Sequence, residues 1–542
     1  MTTTDTEAPG TEAPEPVVPA NEARPFLRLA DGILAASIVV QAVVAWRLGR
    51  KLWWFSDDWN IITRYAHGEL LEPFNGHLSI IPVGIFRFMF EVIGLEHYGP
   101  YRVVGLACYF GFGVVLYAYG RRQAPPLVAV LGTLLLLWLS VAGFNLTFPF
   151  LINFTIPLAA TVGCWWLLEV DTPRRNVLSA VLLGIALASS GLGVVTAIAI
   201  ATELAWKRAP LRRWLPHAVP VGLWACWYVV WSESAGGKGA LGDTLTYFRH
   251  EIQATFWAAG ATNRAIGAVV FVAFVGLLVA AWRWGTFDAR VVSALVAFLA
   301  FTGLTAFSRV GIIPRIPPDT GRYLWVNIVY LLAAAFACLR GRRVHVLVVV
   351  ALAALVLANA VVLVRDLQDH DQGVAQYADT VRVHLLAAEL GRGGDQKRIL
   401  PLSMLPVTVG AYHDAVDAYG SPIHDLTPDQ LGPGGTERDL ADRELVDDLG
   451  LHLEPAVDGC TTSGSTSDQL EVPAGSTVAI TAGATDAPVR LGRISEQPAV
   501  GLAVVPAGTT QSLRLPDDAD AELGARFPWT IVAPGAELTA CR

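Results

Sequence analysis

Apolar runs long enough to cross a bilayer recur through the first two thirds of the chain, and nothing else constrains the fold as strongly. With boundaries good to a few residues they fall at about 29–48, 101–120, 126–143, 147–168, 176–189, 192–206, 215–231, 264–282, 290–307, 321–339 and 344–364. A chain that is 53% hydrophobic and only 16% charged carries more apolar surface than a water-soluble fold can hide. The pattern predicts a polytopic α-helical membrane protein of about eleven crossings with a soluble C-terminal domain. Residues 1–25, rich in Thr, Ala, Glu and Pro, have no apolar core and no basic start. They read as a disordered tail rather than a signal peptide. Residues 26–365 form the membrane domain, whose first loop spans 49–100, and residues 366–542 the soluble one.

Charge divides the chain the same way. Its net charge is −8, yet residues 366–542 hold 27 acidic and 11 basic side chains, so the tail is acidic and the remainder basic. No nucleic-acid surface is indicated. Arg24 and Arg28, Arg121-Arg122, Arg174-Arg175, Lys207-Arg208 with Arg212-Arg213, Arg283 with Arg290, and Arg340 with Arg342-Arg343 flank the runs. If all face the cytoplasm of a plasma membrane, so does the N-terminus, and the 49–100 loop lies outside.

Between Arg175 and Lys207 both flanks are basic, and Ser189-Ser190-Gly191-Leu192-Gly193 interrupts the middle. Two short halves meeting at that turn return the chain to the cytoplasm, give eleven crossings and make the tail extracytoplasmic. A single span gives ten and a cytoplasmic tail. Cys460 and Cys541, the only cysteines in the tail, suit a disulfide in an oxidising exterior. The other four lie in apolar runs and read as small hydrophobes. Gln376–Leu390 has helical spacing. Beyond Asp458, short alternating runs at 469–472, 477–481, 488–491 and 512–515 predict a small antiparallel sandwich. It reads as a structural or carbohydrate-facing accessory domain.

The first loop concentrates the polar chemistry. Trp53-Trp54-Phe55-Ser56-Asp57-Asp58-Trp59-Asn60 sets two adjacent carboxylates among aromatic rings, an arrangement suited to a membrane interface. A short helix from Asp58 to Leu71, and an interfacial one from Ser79 to Ile93, follow from the spacing. Side chains at i and i+1 diverge on a helix. One aspartate can then act on a substrate while the other caps, pairs with Arg or joins a divalent cation. A plain helix cap is the simpler alternative. His67, His77 and His97 share the loop without zinc-ligand spacing. His77, in Asn75-Gly76-His77, is a candidate substrate or carboxylate partner, against a structural turn.

The order of one span, an external loop opening with an acidic pair, two interfacial helices, then Tyr101-Arg102 into the next span is distinctive. With the Ser-Gly turn and Gly321-Arg322-Tyr323-Leu324-Trp325 at the start of a late span, it resembles the GT-C superfamily of integral-membrane glycosyltransferases. The likeness is to uncharacterised polytopic actinobacterial members and covers roughly residues 25–365. It implies transfer of a sugar from a polyprenyl-phosphate donor to a glycan, lipid or protein acceptor on the outer face, generally with inversion. The first-loop aspartate would be the general base, mapping to Asp57 or Asp58, with Asp57 favoured. Some members place a divalent cation beside this acid and others do not. Such chemistry needs one base, because a phosphate leaves with little protonation, and positive charge for the departing phosphate.

Arg64, Arg102, Arg309, Arg315 and Arg322 are the external or near-external arginines, and Arg322, with Tyr323 beside it, is the first choice. Asn75 and His77 complete the expected substrate set. Glu233, His250 and Glu251 are lesser acceptor-site candidates. A transporter or flippase of lipid-linked precursors is the competing reading, and a non-catalytic envelope assembly protein a third. Transporters usually bury ionisable groups near the midplane, whereas these spans are almost free of them.

Overall fold

The computed structural model describes residues 20–64, 70–231, 240–311, 316–402, 406–431, 435–457 and 468–541. Up to residue 19 the expected N-terminal tail lies outside them, and from Ala20 the chain is already helical, as α1 (Ala20–Leu48). The first loop holds α2 (Asp57–Arg64) and α3 (Ile80–Ile93). The bundle continues through α4 (Gly99–Gln123), α5 (Pro126–Leu137), α6 (Gly143–Thr147), α7 (Ile152–Leu167), α8 (Pro173–Leu187), α9 (Leu192–Trp206) and α10 (Leu211–Trp231). It ends with α11 (Leu241–Ala259), α12 (Arg264–Trp284), α13 (Ala289–Arg309), α14 (Gly321–Cys338) and α15 (Val346–Leu390).

Seven of the described helices are long and apolar enough to cross a bilayer, so the protein is a membrane protein. They are α1, α4, α7 with the turn before it, α12, α13, α14 and the first part of α15. Burial is 78% along α14 but 11% along α12 and the apolar part of α15. The first therefore runs through the middle of the bundle, and the other two present their side chains to lipid.

The apolar stretch around 126–143 is not one helix. It breaks after Leu137, and Gly143 and Pro149 bound a short turn of helix. A break at this depth must satisfy its own backbone. Buried Asn359 does so: its Oδ1 accepts the Ser140 N–H at 3.0 Å and its Nδ2 donates to the Ala259 carbonyl at 3.0 Å.

The helices α8 and α9 form the expected hairpin. A Cβ at Gly193 would fall 2.3 Å from Leu187 Cα, so only glycine permits the turn. At the far ends Lys207 Nζ donates to the Leu168 carbonyl at 3.4 Å, and Arg212 pairs with Asp171 at 3.4 Å. Both basic flanks therefore meet at one end. Arg122–Glu169, Arg290–Glu203 and Arg340–Asp288, at 3.2, 2.8 and 2.8 Å, gather there too.

The first loop and the tail share the opposite end. The expected Gln376–Leu390 helix is not separate, because α15 runs unbroken from Val346 to Leu390 and carries the chain out of the bundle. A mixed segment follows: strands β1 (Ile399–Leu400) and β2 (Val407–Thr408), then α16 (Val409–Tyr419) and α17 (Thr436–Asp448). This α-rich platform was not legible as such in the sequence.

Beyond it come β3 (Leu453–Pro455), β4 (Gln469–Val472), β5 (Thr477–Ala482), β6 (Ala487–Gly492), β7 (Val500–Val505), β8 (Thr510–Arg514), α18 (Ala521–Arg526), β9 (Trp529–Val532) and β10 (Ala536–Cys541). They build two four-stranded antiparallel sheets, ordered β10-β5-β8-β3 and β4-β9-β6-β7. Val478, Ile480, Leu513 and Leu538 from one sheet and Val489, Leu491, Trp529 and Ile531 from the other belong to one core. Asp442 of α17 ties the platform to the sandwich by accepting the N–H groups of Arg493, Ile494 and Ser495. Cys541 is disulfide-bonded and Cys108, Cys164, Cys226 and Cys338 are free. Cys460, the expected partner of Cys541, lies outside the described residues.

Candidate functional site

Ser56 adopts a φ of 46°, a left-handed conformation that side chains rarely take, just before α2 begins. Beyond it the two aspartates part company. Asp58 is fully buried: its Oδ2 accepts the Phe55 N–H at 3.1 Å and the Tyr98 hydroxyl at 3.3 Å, and its Oδ1 is sealed from solvent without a partner among the described residues. Burial pushes its carboxyl well above the ordinary aspartate range; the Asp57 charge adds to this and the two hydrogen bonds offset part of it. Asp57 is half-buried and hydrogen-bonded to Asn60. Its pKa is also raised by burial, against which the charges of Arg322 and Arg309 work.

The aromatic residues do not form an interfacial belt. Trp53, Trp54 and Trp59 are all buried: the tail covers Trp53 and Trp59, and Trp54 packs inside the loop. Trp54 packs edge-on against Tyr98 and Tyr101, at 5.0 and 4.7 Å between ring centres, and donates its indole N–H to the Leu95 carbonyl at 3.2 Å. From the tail, Tyr377 meets Phe55, Tyr412 meets Trp59 at 6.1 Å, and the Arg382 guanidinium lies 4.8 Å over Trp53. The Leu95 N–H donates to the Tyr419 carbonyl at 3.0 Å. The tail platform thus roofs the acidic loop.

His77 reaches the same cleft on a second support. Asn75 and Gly76 have φ of 50° and 77°, and Phe74 and His77 exchange backbone hydrogen bonds at 2.9 and 3.0 Å. This is the two-residue hairpin turn that Asn-Gly favours. The His77 ring rests on the α8–α9 turn, where a Cβ at Gly191 would come 2.8 Å from its Cε1. The Ile81 N–H donates to the Ala188 carbonyl at 3.0 Å beside it. The ring is open to solvent yet enclosed by protein at longer range, as in a cleft. That enclosure, with the Arg309 charge, lowers its pKa to about 4, so it is neutral at neutral pH.

Arg309 closes α13 and Arg322 opens α14. Their guanidinium carbons lie 5.6 and 5.2 Å from the ring centre of Tyr323, and Arg322 also lies 5.6 Å over Phe144. The site thus joins Asp57, His77, Arg309 and Arg322 at one end of the bundle. Tyr323, 3% exposed, is buried with its ring against the two arginines.

Other expected members stand elsewhere. Arg102 is buried, donates to the Ala45 carbonyl at 3.2 Å and stacks on Trp46 at 4.7 Å, which clasps α4 to α1. Arg64 is exposed at the last described residue of α2, residues 65–69 of the helix expected to reach Leu71 lie outside the described residues, and Asn75 is exposed in its turn. Glu251, expected in an external loop, is buried on α11 and accepts from Asn327 Nδ2 at 3.0 Å, and His250 is exposed beside Arg249. His67, Glu233 and Arg315 lie outside the described residues. The roof residues Tyr377 and Tyr412 carried no local sequence signal, since only the tertiary fold brings them to the loop, and nothing in the loop's own spacing marks Tyr98 as the Asp58 partner.

A divalent cation does not suit these residues. Among the described residues Asp58 is committed inside the loop, and Asp57 beside guanidinium groups is not a hard-cation donor set. No family model, curated protein or solved structure matches the chain.

Proposed function

We propose that the chain is a membrane glycosyltransferase of the GT-C kind. It moves a sugar from a polyprenyl-phosphate donor to an envelope glycan, glycolipid or protein acceptor outside the plasma membrane. The observation that carries this reading is the half-buried Asp57 carboxylate under the charges of Arg322 and Arg309 at the end of a membrane bundle. Asp57 takes the proton of the acceptor hydroxyl as its oxygen bonds to the anomeric carbon. The bond from that carbon to the phosphate oxygen breaks, and polyprenyl phosphate departs with the electron pair, its charge met by the two arginines. A single displacement inverts the anomeric centre. A glycosidase would need two working carboxyls about 5–9 Å apart, and Asp58 is sealed in the loop.

Orientation follows the basic clusters, all at the end away from the acidic loop. The positive-inside rule then supports a cytoplasmic N-terminus, an external loop and an external tail. The α8–α9 hairpin supports the count of about eleven crossings. That hairpin is also the one feature favouring a transporter. Against it, the buried Glu203 is paired with Lys207 and Arg290 near the basic end rather than standing at mid-membrane.

The test is transfer by the purified protein from polyprenyl-phosphate sugars. Asp57→Asn should lose about 100- to 10,000-fold in turnover; undiminished turnover rejects the base. If the unaltered protein transfers from no donor but moves lipid-linked sugars across vesicles, the transporter reading replaces this one.

A further inference from the structure

The end of the bundle away from the acidic loop holds a cleft of about 450 Å³ lined by Arg122, Gln123, Glu169, Lys207, Asp288, Arg290 and Arg340. Its charged groups come from α4, α13 and the N-cap of α13, and from the turns that follow α7, α9 and α14. At its floor Arg290 is 2% exposed and bonded to Glu203, the Trp165 carbonyl and the Tyr119 hydroxyl. Glu203, fully buried, shares one oxygen between Lys207 at 2.6 Å and Arg290 at 2.8 Å. At the rim Arg122 pairs with Glu169 and Arg340 with Asp288, and Gln123 bridges the two pairs through Glu169 and the Arg340 Nε.

Four cations face three carboxylates here, and the rim arginines keep 45% of their side-chain surface in solvent. Arg121 is paired with Asp31 at 3.3 Å, but Arg342 and Arg343 stand near by in sequence and add to the excess of cations around the cleft. The mouth sits where the apolar spans give way to basic flanks, the level of lipid headgroups. Basic pockets between spans at that level hold phosphate-bearing headgroups, and each Lys or Arg adds to the attraction.

We propose that this cleft binds a phosphate-bearing anion, supplied by an anionic phospholipid headgroup of the adjoining leaflet. It is distinct from the Asp57 cleft and does not depend on any activity there. An occupant would bridge Arg122 on α4 and Arg340 in the turn after α14 and so stabilise the bundle.

Native mass spectrometry and thermal unfolding of the full-length protein in detergent test this. Phosphatidylglycerol should be retained over phosphatidylcholine and should raise the melting temperature. In the Arg122→Gln/Arg340→Gln double variant its apparent affinity should fall about tenfold or more. Both substituted arginines are at the rim, so the buried Arg290–Glu203 pair stays intact. Arg283→Gln, exposed at the same end but outside the cleft, should bind like the unaltered protein. Stabilisation by inorganic phosphate without lipid preference assigns the cleft to a soluble anion and overturns the lipid source. Indifference to both, or equal phosphatidylglycerol binding by the double variant, overturns the site.

Discussion

Phe55 meets Tyr377 edge-on, with 4.8 Å between ring centres. The residue that precedes the strained Ser56 is therefore held by the helix leaving the bundle, and the tail is part of what shapes the acidic loop. Tyr377→Phe should keep the contact. Tyr377→Ala should cost about 0.5–1.5 kcal/mol of ring contact beyond lost burial. Amide hydrogen exchange across residues 52–60 should quicken in the alanine variant alone; unchanged exchange there would show that the roof does not hold the loop.

Asp58 should behave as a structural acid. Its folded pKa lies above the unfolded value of 3.8, so as pH rises past 3.8 the unfolded chain ionises first and stability falls until the folded carboxyl also titrates. Asp58→Asn removes that loss. The melting temperature of the variant relative to the unaltered protein should climb as pH rises above 4. A variant that instead loses ground with rising pH would mean that Asp58 is held as a carboxylate.

The arginines should set the acid limb of any pH–rate profile. Arg322 is the larger of the two charges opposing the rise in the Asp57 pKa. Arg322→Gln should lift that pKa further and move the acid limb to higher pH, with Arg309→Gln shifting it less. Equal profiles in all three proteins would detach Asp57 from the titrating step.

His77 should resist protonation. With a folded pKa of about 4 against 6.5 unfolded, its contribution to stability is complete above 6.5 and is lost as pH falls towards 4. His77→Asn should flatten the decline of melting temperature over that window. Nitrogen NMR of the labelled ring should show a neutral imidazole at pH 6.

The two glycines of the hairpin turn should differ sharply. A Cβ on Gly193 strikes the Leu187 backbone, which cannot yield, whereas a Cβ on Gly191 meets the side chain of His77. Gly193→Ala should therefore destabilise by about 1–3 kcal/mol or prevent folding. Gly191→Ala should fold and lose activity through a displaced imidazole. Measured melting temperatures and turnover separate the two outcomes.

The membrane class, the hairpin and four strands of the sandwich were legible in the sequence, because each rests on local periodicity or on a turn residue. Asp57, His77 and Arg322 were legible because polar residues are scarce beside apolar runs. The difference between Asp57 and Asp58 was not. It arises from Tyr98, forty residues away, and from a positive φ at Ser56 that no residue preference announces. Arg102 was misplaced for a similar reason: a cation at the start of a span can reach for water or clasp a neighbouring helix, and only packing decides.

The unbroken α15 works like a screw thread between bilayer and roof. Each residue advances about 1.5 Å and turns about 100°. One residue added between Val364 and Tyr377 would swing the whole tail by that angle and carry Tyr377 off Phe55. Four would nearly restore the angle while lifting the roof about 6 Å. The spacing along this helix is therefore fixed in two coordinates at once, pitch and height.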